Sequence, residues 1–275
     1  MDLTKNIEDF NLVILDLETT GLDAVTGDAI CEVGAFKVKT RKVIDQFHSL
    51  VNPNRSMPLQ AYNIHKISQE ELKDAPYFED IADKFISFLD KSIICAYNIK
   101  FDVGFINNHL KKFNRPSLEL PGVDILSMAR DGLRLPRYNL DAVAKFFNID
   151  CSQGLHRAAN DASVALQALV KLLDIFKEKG IRNLDEFISL YGLNNKIFRV
   201  KEEEKIELFN LAIKKRTVLK IKYFSSNNVI EEKDAVPLRI VSEGRYPYLL
   251  CQSKDKGSFS VRVSRILKVE DFKSN

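Results

Sequence analysis

Residues 12–18, Leu12-Val13-Ile14-Leu15-Asp16-Leu17-Glu18, form an apolar run that ends in acid, and they read as a buried strand. Further runs at 29–39 and 43–51 are separated by Arg41-Lys42, which suits a tight hairpin, so three strands in a meander are expected. The pattern then changes. Strands at 92–96 and 121–124 alternate with helical stretches at 79–89, 101–112, 125–131, 140–147 and 157–178. Ser68-Gln69-Glu70-Glu71 has the form of a capping box, with Ser68 as N-cap and Glu71 at the third helical position. A meander followed by strands alternating with helices predicts an α/β unit: a mixed sheet with helices on its faces.

Lys179-Gly180 closes the long last helix, and the first domain is placed at residues 1–179. Residues 180–200 read as a linker containing a short amphipathic piece from Leu184 to Tyr191. Residues 201–275 have a different texture: a charged helix at about 202–215, then strand-like runs at 218–224, 230–240, 246–251 and 258–263, with turn-rich segments between them. A helix and four short strands predict a small β-barrel domain.

The chemistry begins at Asp16 and Glu18. Side chains two apart on a strand share a face. Two acids side by side at the end of an apolar strand repel each other and are costly to desolvate, unless a divalent cation lies between them. Taken alone, the pair also fits a hairpin edge with two solvated acids. Further segments add to it. An apolar strand leads into Asn98-Ile99-Lys100-Phe101-Asp102 at the head of an amphipathic helix. Tyr138-Asn139-Leu140-Asp141 opens another helix, and His156-Arg157-Ala158-Ala159-Asn160-Asp161 opens the long one. His156 and Asp161 are five apart, so they need not share a helix face, and a histidine in the preceding loop can instead reach over Asp161.

In order and spacing these segments resemble the DEDDh family of 3′→5′ exonucleases: Asp16-x-Glu18, then Asn98-x-x-Phe101-Asp102, then His156-x-x-x-x-Asp161, with Asn63-Ile64-His65-Lys66-Ile67-Ser68 also similar to a family stretch. The resemblance covers roughly residues 8–178 and implies a ribonuclease-H-like fold. It also implies a two-metal mechanism with two Mg²⁺ or Mn²⁺ ions about 4 Å apart. Asp16, Glu18 and Asp161 would bind the ion that activates water, Asp16 would bridge to the second, and Asp102 would support that one. His156 would be general base, a task imidazole suits near neutral pH. The expected products are nucleoside 5′-monophosphates. Thr19, Leu22, His65, Asn98 and Phe105 are candidates for substrate contact. Four of them have a plainer alternative: core packing for Leu22 and Phe105, a cap or loop role for His65, and a strand-ending turn for Asn98.

Composition narrows the setting. Apolar residues make up 45% of the 275 and charged residues 29%, as in a globular protein. No run of eighteen apolar residues occurs, so no membrane span is expected, and the N-terminal Met1-Asp2-Leu3-Thr4-Lys5 has no signal-peptide pattern. Cys31, Cys95, Cys151 and Cys251 show no C-x-x-C spacing and read as reduced thiols of a cytoplasmic protein, not as a zinc site. The net charge of +3 conceals an asymmetry. Residues 196–275 hold 18 basic and 11 acidic residues, a net of +7, whereas the rest carries a net of −4.

The C-terminal stretch resembles the WYL domain through Ala212-Ile213, Ile221-Lys222-Tyr223, Val236-Pro237-Leu238, Tyr248-Leu249 and Arg262-Val263-Ser264-Arg265-Ile266. It departs from that family in lacking the naming Trp, since Pro247 precedes Tyr248, and in placing Ser264 where an acid is common. The resemblance implies a small SH3/Sm-like β-barrel behind an N-terminal helix, and a domain that binds nucleic acid or a nucleotide-like ligand. Tyr223, Arg239, Arg245, Arg262 and Arg265 are the candidate contacts, arginine being suited to bidentate phosphate binding. The plainer alternative is surface arginines paired with the Glu202-Glu203-Glu204 region. The expected partner is single-stranded DNA or a DNA 3′ end. RNA fits the same ligand set, because metals read the phosphate and not the sugar. A non-catalytic sensor is the rival from another class, and the complete set of acids argues against it.

Overall fold

The computed structural model describes residues 1–193, 196–244, 246–254 and 257–271. By contacts the chain divides into two compact units, one of Asn6–Ile175 and one of Met1–Lys5 with Phe176–Asn275.

In the first unit β1 (Asn11–Thr19), β2 (Ile30–Lys39) and β3 (Lys42–Leu50) form the expected antiparallel meander. The hairpin turn sits one residue earlier than expected, on Thr40 and Arg41, both with positive φ. Arg41 is held there by Glu8 and Asp174. Two short helices follow, α1 (Leu59–His65) and α2 (Gln69–Lys73), then α3 (Phe78–Leu89), β4 (Ser92–Ala96) and α4 (Ile99–Lys112). The remaining elements are β5 (Gly122–Asp124), α5 (Ile125–Gly132), α6 (Leu140–Phe146) and α7 (Ala158–Glu178), whose last turn falls in the second unit. The α2 cap is the box read from sequence, with both Ser68 and Glu71 making their bonds. The α1 helix was not anticipated. It is short, and Leu59, Tyr62 and Ile64 face solvent, so it carries no apolar stripe to read.

The sheet order is β3-β2-β1-β4-β5, with β4 and β5 parallel to β1. β1 is therefore central and needs apolar residues on both faces. Val13, Ile14 and Leu15 are fully buried, as are Ile93, Cys95 and Ala96 on β4. Parallel strands joined by crossover helices place their C-terminal ends together, and the carboxylates lie there. This is the mixed α/β, ribonuclease-H-like architecture expected.

In the second unit, α8 (Leu184–Tyr191) falls within the stretch read as linker, and its Leu184, Phe187, Ile188 and Tyr191 are buried. α9 (Lys196–Lys215) starts six residues before its expected position. β6 (Leu219–Phe224), β7 (Ile230–Glu243), β8 (Tyr246–Ser253), β9 (Ser258–Arg262) and β10 (Ile266–Asp271) form one antiparallel sheet, ordered β10-β6-β7-β8-β9. The sequence reading had four strands. The fifth, β10, is reached through a 3₁₀ turn at Val263–Arg265, and its alternating Lys268, Val269 and Glu270 hid it among charges. Phe209 of α9 packs with Ile221, Leu249, Val263 and Ile266 to make the core. No helix among the described residues is long and apolar enough to cross a membrane.

Candidate active site

β1 ends in Asp16, Glu18 and a bulge between Glu18 and Thr19. The chain turns immediately: Thr19 Oγ1 donates to the Gly21 carbonyl at 2.5 Å, and the Thr20 N–H donates to the Ala29 carbonyl at 2.9 Å. A Cβ on Gly21 would fall 2.2 Å from the Asp28 carboxylate, so any larger residue there would push that side chain aside.

Asp102 is brought in by α4. Asn98 caps that helix with φ +75 and makes no side-chain cap bond. The backbone N–H groups of Asn98 and Ile99 instead donate to Asp124 Oδ1, at 3.1 and 3.2 Å. Asp124, on β5, also caps α5 by accepting from the Ser127 N–H. One carboxylate thus fixes the start of two helices. Asp102 is buried and has the Leu17 backbone as a hydrogen-bond partner.

α7 brings the remaining pair. His156 lies in the loop before it with φ +68, exposed, and its N–H donates to Asp161 Oδ1 at 3.0 Å. Ligand atoms of Glu18, His156 and Asp161 all lie within 4.8 Å of one another. The start of α7 rests on β2 at Gly34, where a Cβ would come within 2.3 Å of the Ala159 nitrogen.

Burial and mutual repulsion act on these acids together. The Asp16 carboxyl is raised well above its ordinary value by burial, then by the charges of Asp102, Asp161, Glu18 and Glu32. Glu18 is pushed up to about 8 by burial and by Asp161 and Glu32. Asp102 and Asp161 are raised, each mainly by burial. Glu18, His156 and Asp161 are thus a group that could hold a metal ion, and a hard divalent cation beside the raised acids would remove their repulsion.

The other sequence candidates distribute differently. Phe105 is 2% exposed and its ring packs on Phe101 at 4.8 Å. Leu22 is 85% exposed, on the loop beyond the site. His65 is 3% exposed. It accepts from the Ile67 N–H at Nδ1, 3.0 Å, and has the Thr19 backbone as a partner, so it braces the end of β1. Asp141 pairs with Lys145 one helical turn on, at 2.7 Å.

Sequence reasoning missed Glu32, Arg157 and Asp124. Glu32 lies opposite Glu18 in the β1–β2 register, and its buried carboxylate accepts from Arg157, from the Ala158 N–H at 2.9 Å and from His48 at 2.8 Å. Burial works against its charge, but these donors hold it below its ordinary value. The signal was an acid inside the apolar run Ile30-Cys31-Glu32-Val33, which needs partners to be buried.

In the C-terminal unit, Tyr223 is buried, stacked on Phe259 and hydrogen-bonded to Glu231 at 2.8 Å. Arg265 donates to the Phe224 and Ser225 carbonyls at 2.9 and 3.2 Å. Both therefore make bonds within the fold. Arg262 lies over the Tyr246 ring at 3.5 Å, and its Nε is buried with no hydrogen-bond partner among the described residues. Arg239 is exposed on β7, and Arg245 lies outside the described residues.

Comparison with known proteins agrees with this picture. The RNase_T exonuclease family matches residues 13–169, and the WYL domain matches residues 204–271. A DNA polymerase III subunit epsilon of Rickettsia conorii is 41% identical over 167 residues, 58% of this chain and 73% of that protein. A PolC-type DNA polymerase III of Thermotoga petrophila is 34% identical over 186 residues, 68% of this chain but 14% of its own length. Among solved structures, the nuclease domain of 3′hExo, a DEDDh family member bound to rAMP, has a TM-score of 0.54 at 16% identity, covering 60% of this chain and 92% of its own; that likeness shows the fold. The chain belongs to the RNase_T exonuclease family, as a 3′→5′ exonuclease of the DEDDh type with a WYL domain toward its C-terminus.

Proposed function

We propose that the chain removes nucleotides one at a time from the 3′ end of single-stranded DNA and releases nucleoside 5′-monophosphates. The convergence of Glu18, His156 and Asp161 within 4.8 Å, with Asp102 close enough to raise the ionisation cost of Asp16, carries this reading. Asp16, Glu18, Asp102 and Asp161 would hold two Mg²⁺ or Mn²⁺ ions. Such ions orient the scissile phosphate, activate water and stabilise the leaving oxygen.

The chain's own groups do the rest. His156 is exposed at the mouth of the site, where its imidazole takes the proton of the attacking water. Asp161 fixes the His156 backbone and so sets where that ring stands. Glu32 and Arg157 anchor the segment carrying both. The C-terminal unit, with its net +7 and the Arg262–Tyr246 pair, would take up nucleic acid or a nucleotide-like ligand. Four unpaired cysteines suit the cytoplasm as its place of work.

The test is degradation of 5′-labelled single-stranded DNA and RNA of one sequence, with Mg²⁺, Mn²⁺ or EDTA, beside Asp161→Ala. A metal-dependent ladder shortening from the 3′ end, faster on DNA and absent in the variant, is expected. Faster cleavage of RNA would make the chain an RNA-trimming enzyme, and no cleavage of either would overturn the catalytic reading.

A further inference from the structure

A cavity of about 480 Å³ opens in the first unit where the loops after β1 and β3 meet the start of α3 and the end of α4. It shares no residue with the carboxylate site, and its size is that of a small-ligand pocket. Tyr77, Phe78 and Phe113 give it an aromatic wall.

His109 lines the same cavity and is 6% exposed. Its ring packs on Phe78 at 5.1 Å, and its Nδ1 lies 3.0 Å from the Phe105 carbonyl oxygen. A carbonyl only accepts, so Nδ1 carries the proton. Burial lowers the His109 pKa and keeps the ring neutral, which leaves Nε2 as a bare acceptor with no hydrogen-bond partner among the described residues. At the rim, Arg55 is occupied by Asp28 and the Gly27 carbonyl, leaving Lys112 to meet an anion.

We propose that this cavity is a second nucleotide site: the base packs on the aromatic wall and donates an N–H to His109 Nε2, and the phosphate meets Lys112. An inorganic anion would make no use of the aromatic wall, and an apolar ligand would leave His109 and Lys112 unanswered. The choice of a nucleotide over another flat anion rests on the exonuclease reading. The nucleotide comes either free, as a mononucleotide, or as one unit of a strand whose 3′ end is in the active site.

The test is equilibrium binding of dAMP and of an octadeoxyadenylate strand to the full chain in EDTA, for wild type, Asp161→Ala, Tyr77→Ala and Lys112→Glu. Tyr77 is about half exposed and Lys112 is exposed, so these two variants should fold normally. Saturable dAMP binding, equal in wild type and Asp161→Ala and weakened about tenfold by each of the other changes, is expected for a free nucleotide. The same losses seen only with the strand would assign the cavity to a substrate unit. Binding untouched by Tyr77→Ala and Lys112→Glu, or no saturable binding of either ligand, overturns the site. Cleavage assays with Mg²⁺ on the same wild-type sample separate the two ideas: degradation alongside unaffected cavity variants sinks the cavity alone, and no degradation sinks the exonuclease reading.

Discussion

Arg157 grips Glu32 with Nε at 3.1 and 3.2 Å and Nη2 at 2.8 Å, so the residue after His156 is clamped to the residue opposite Glu18. With the Ala158 N–H on the same carboxylate, this pairing fixes the start of α7 against β2. Glu32→Gln would ease the repulsion on Glu18, but it also weakens charge-assisted bonds worth about 1.5–3 kcal/mol each, and the second effect is the larger. We expect a stability loss of about 1–3 kcal/mol. We also expect the Mg²⁺ concentration for half-maximal cleavage to rise about 10–100-fold, as for partners that orient metal ligands. A Mg²⁺ titration of the cleavage rate reads this directly, and an unchanged midpoint would show that the clamp does not position the site.

Gly34 and Ala159 approach more closely than any side chain allows. A Cβ on Gly34 meets backbone atoms of Ala158 and Ala159 at 2.3–2.6 Å, and backbone cannot rotate away. Gly34→Ala must therefore displace the start of α7, at a cost of about 1–3 kcal/mol or more, and carry His156 and Asp161 with it. Thermal unfolding and cleavage rate should both fall. Full activity with a lowered melting temperature would mean that the helix shifts without disturbing the site.

The carboxylates give the metal-free protein an unusual pH dependence. Glu18 has an ordinary value of 4.5 and stands at about 8 when folded, so the fold favours its neutral form. That preference is no handicap below pH 4.5, and it becomes a growing penalty as the pH rises toward 8. Asp16, Asp102 and Asp161 shift the same way, whereas Glu32 shifts in the opposite direction. In EDTA the melting temperature should fall between pH 5 and pH 8. Mg²⁺ or Mn²⁺ should restore it, with the larger gain at pH 8. An equal gain at both pH values would argue that the ions bind elsewhere.

Asn98 separates conformation from contact. Its φ of +75 costs most side-chain-bearing residues about 1 kcal/mol, a cost asparagine largely escapes and glycine does not bear. If Asn98 serves only the turn, Asn98→Gly keeps both fold and kinetics, and Asn98→Ala loses about 1 kcal/mol of stability. If its amide touches substrate, Asn98→Gly raises KM while the melting temperature holds. Steady-state kinetics beside calorimetry distinguish the two.

The sheet and its acids were legible because burial writes itself into sequence. β1 and β4 lie inside the sheet, so their runs are largely apolar, and the acids at the end of β1 stand out. The supports were harder to see. Glu32 looks like one more charge until the register sets it across from Glu18, and Asp124 gives no sign that it caps a helix beyond its own. α1 and β10 were missed because exposed apolar residues and alternating charges blur the period that reveals an element. Phe105 was ambiguous for a related reason: at helical spacing from Asp102, a core ring and a stacking ring look alike.

Arg262 and Arg265 are three apart, and the structure gives them different work. Arg265 donates to two backbone carbonyls between β6 and β7, so Arg265→Ala leaves both without that donor and should cost about 1–3 kcal/mol. It should leave nucleic-acid affinity unchanged at temperatures where the fold persists. Arg262 is stacked on Tyr246 with a buried Nε that no described residue satisfies, an arrangement that a phosphate or base would complete. Arg262→Ala should therefore weaken binding of single-stranded DNA and reduce the slope of log affinity against log salt by about one, as for the loss of one phosphate contact. Fluorescence anisotropy across a salt series, read with the active site silenced by EDTA, tests both. Equal slopes in wild type and Arg262→Ala would show that Arg262 holds no phosphate.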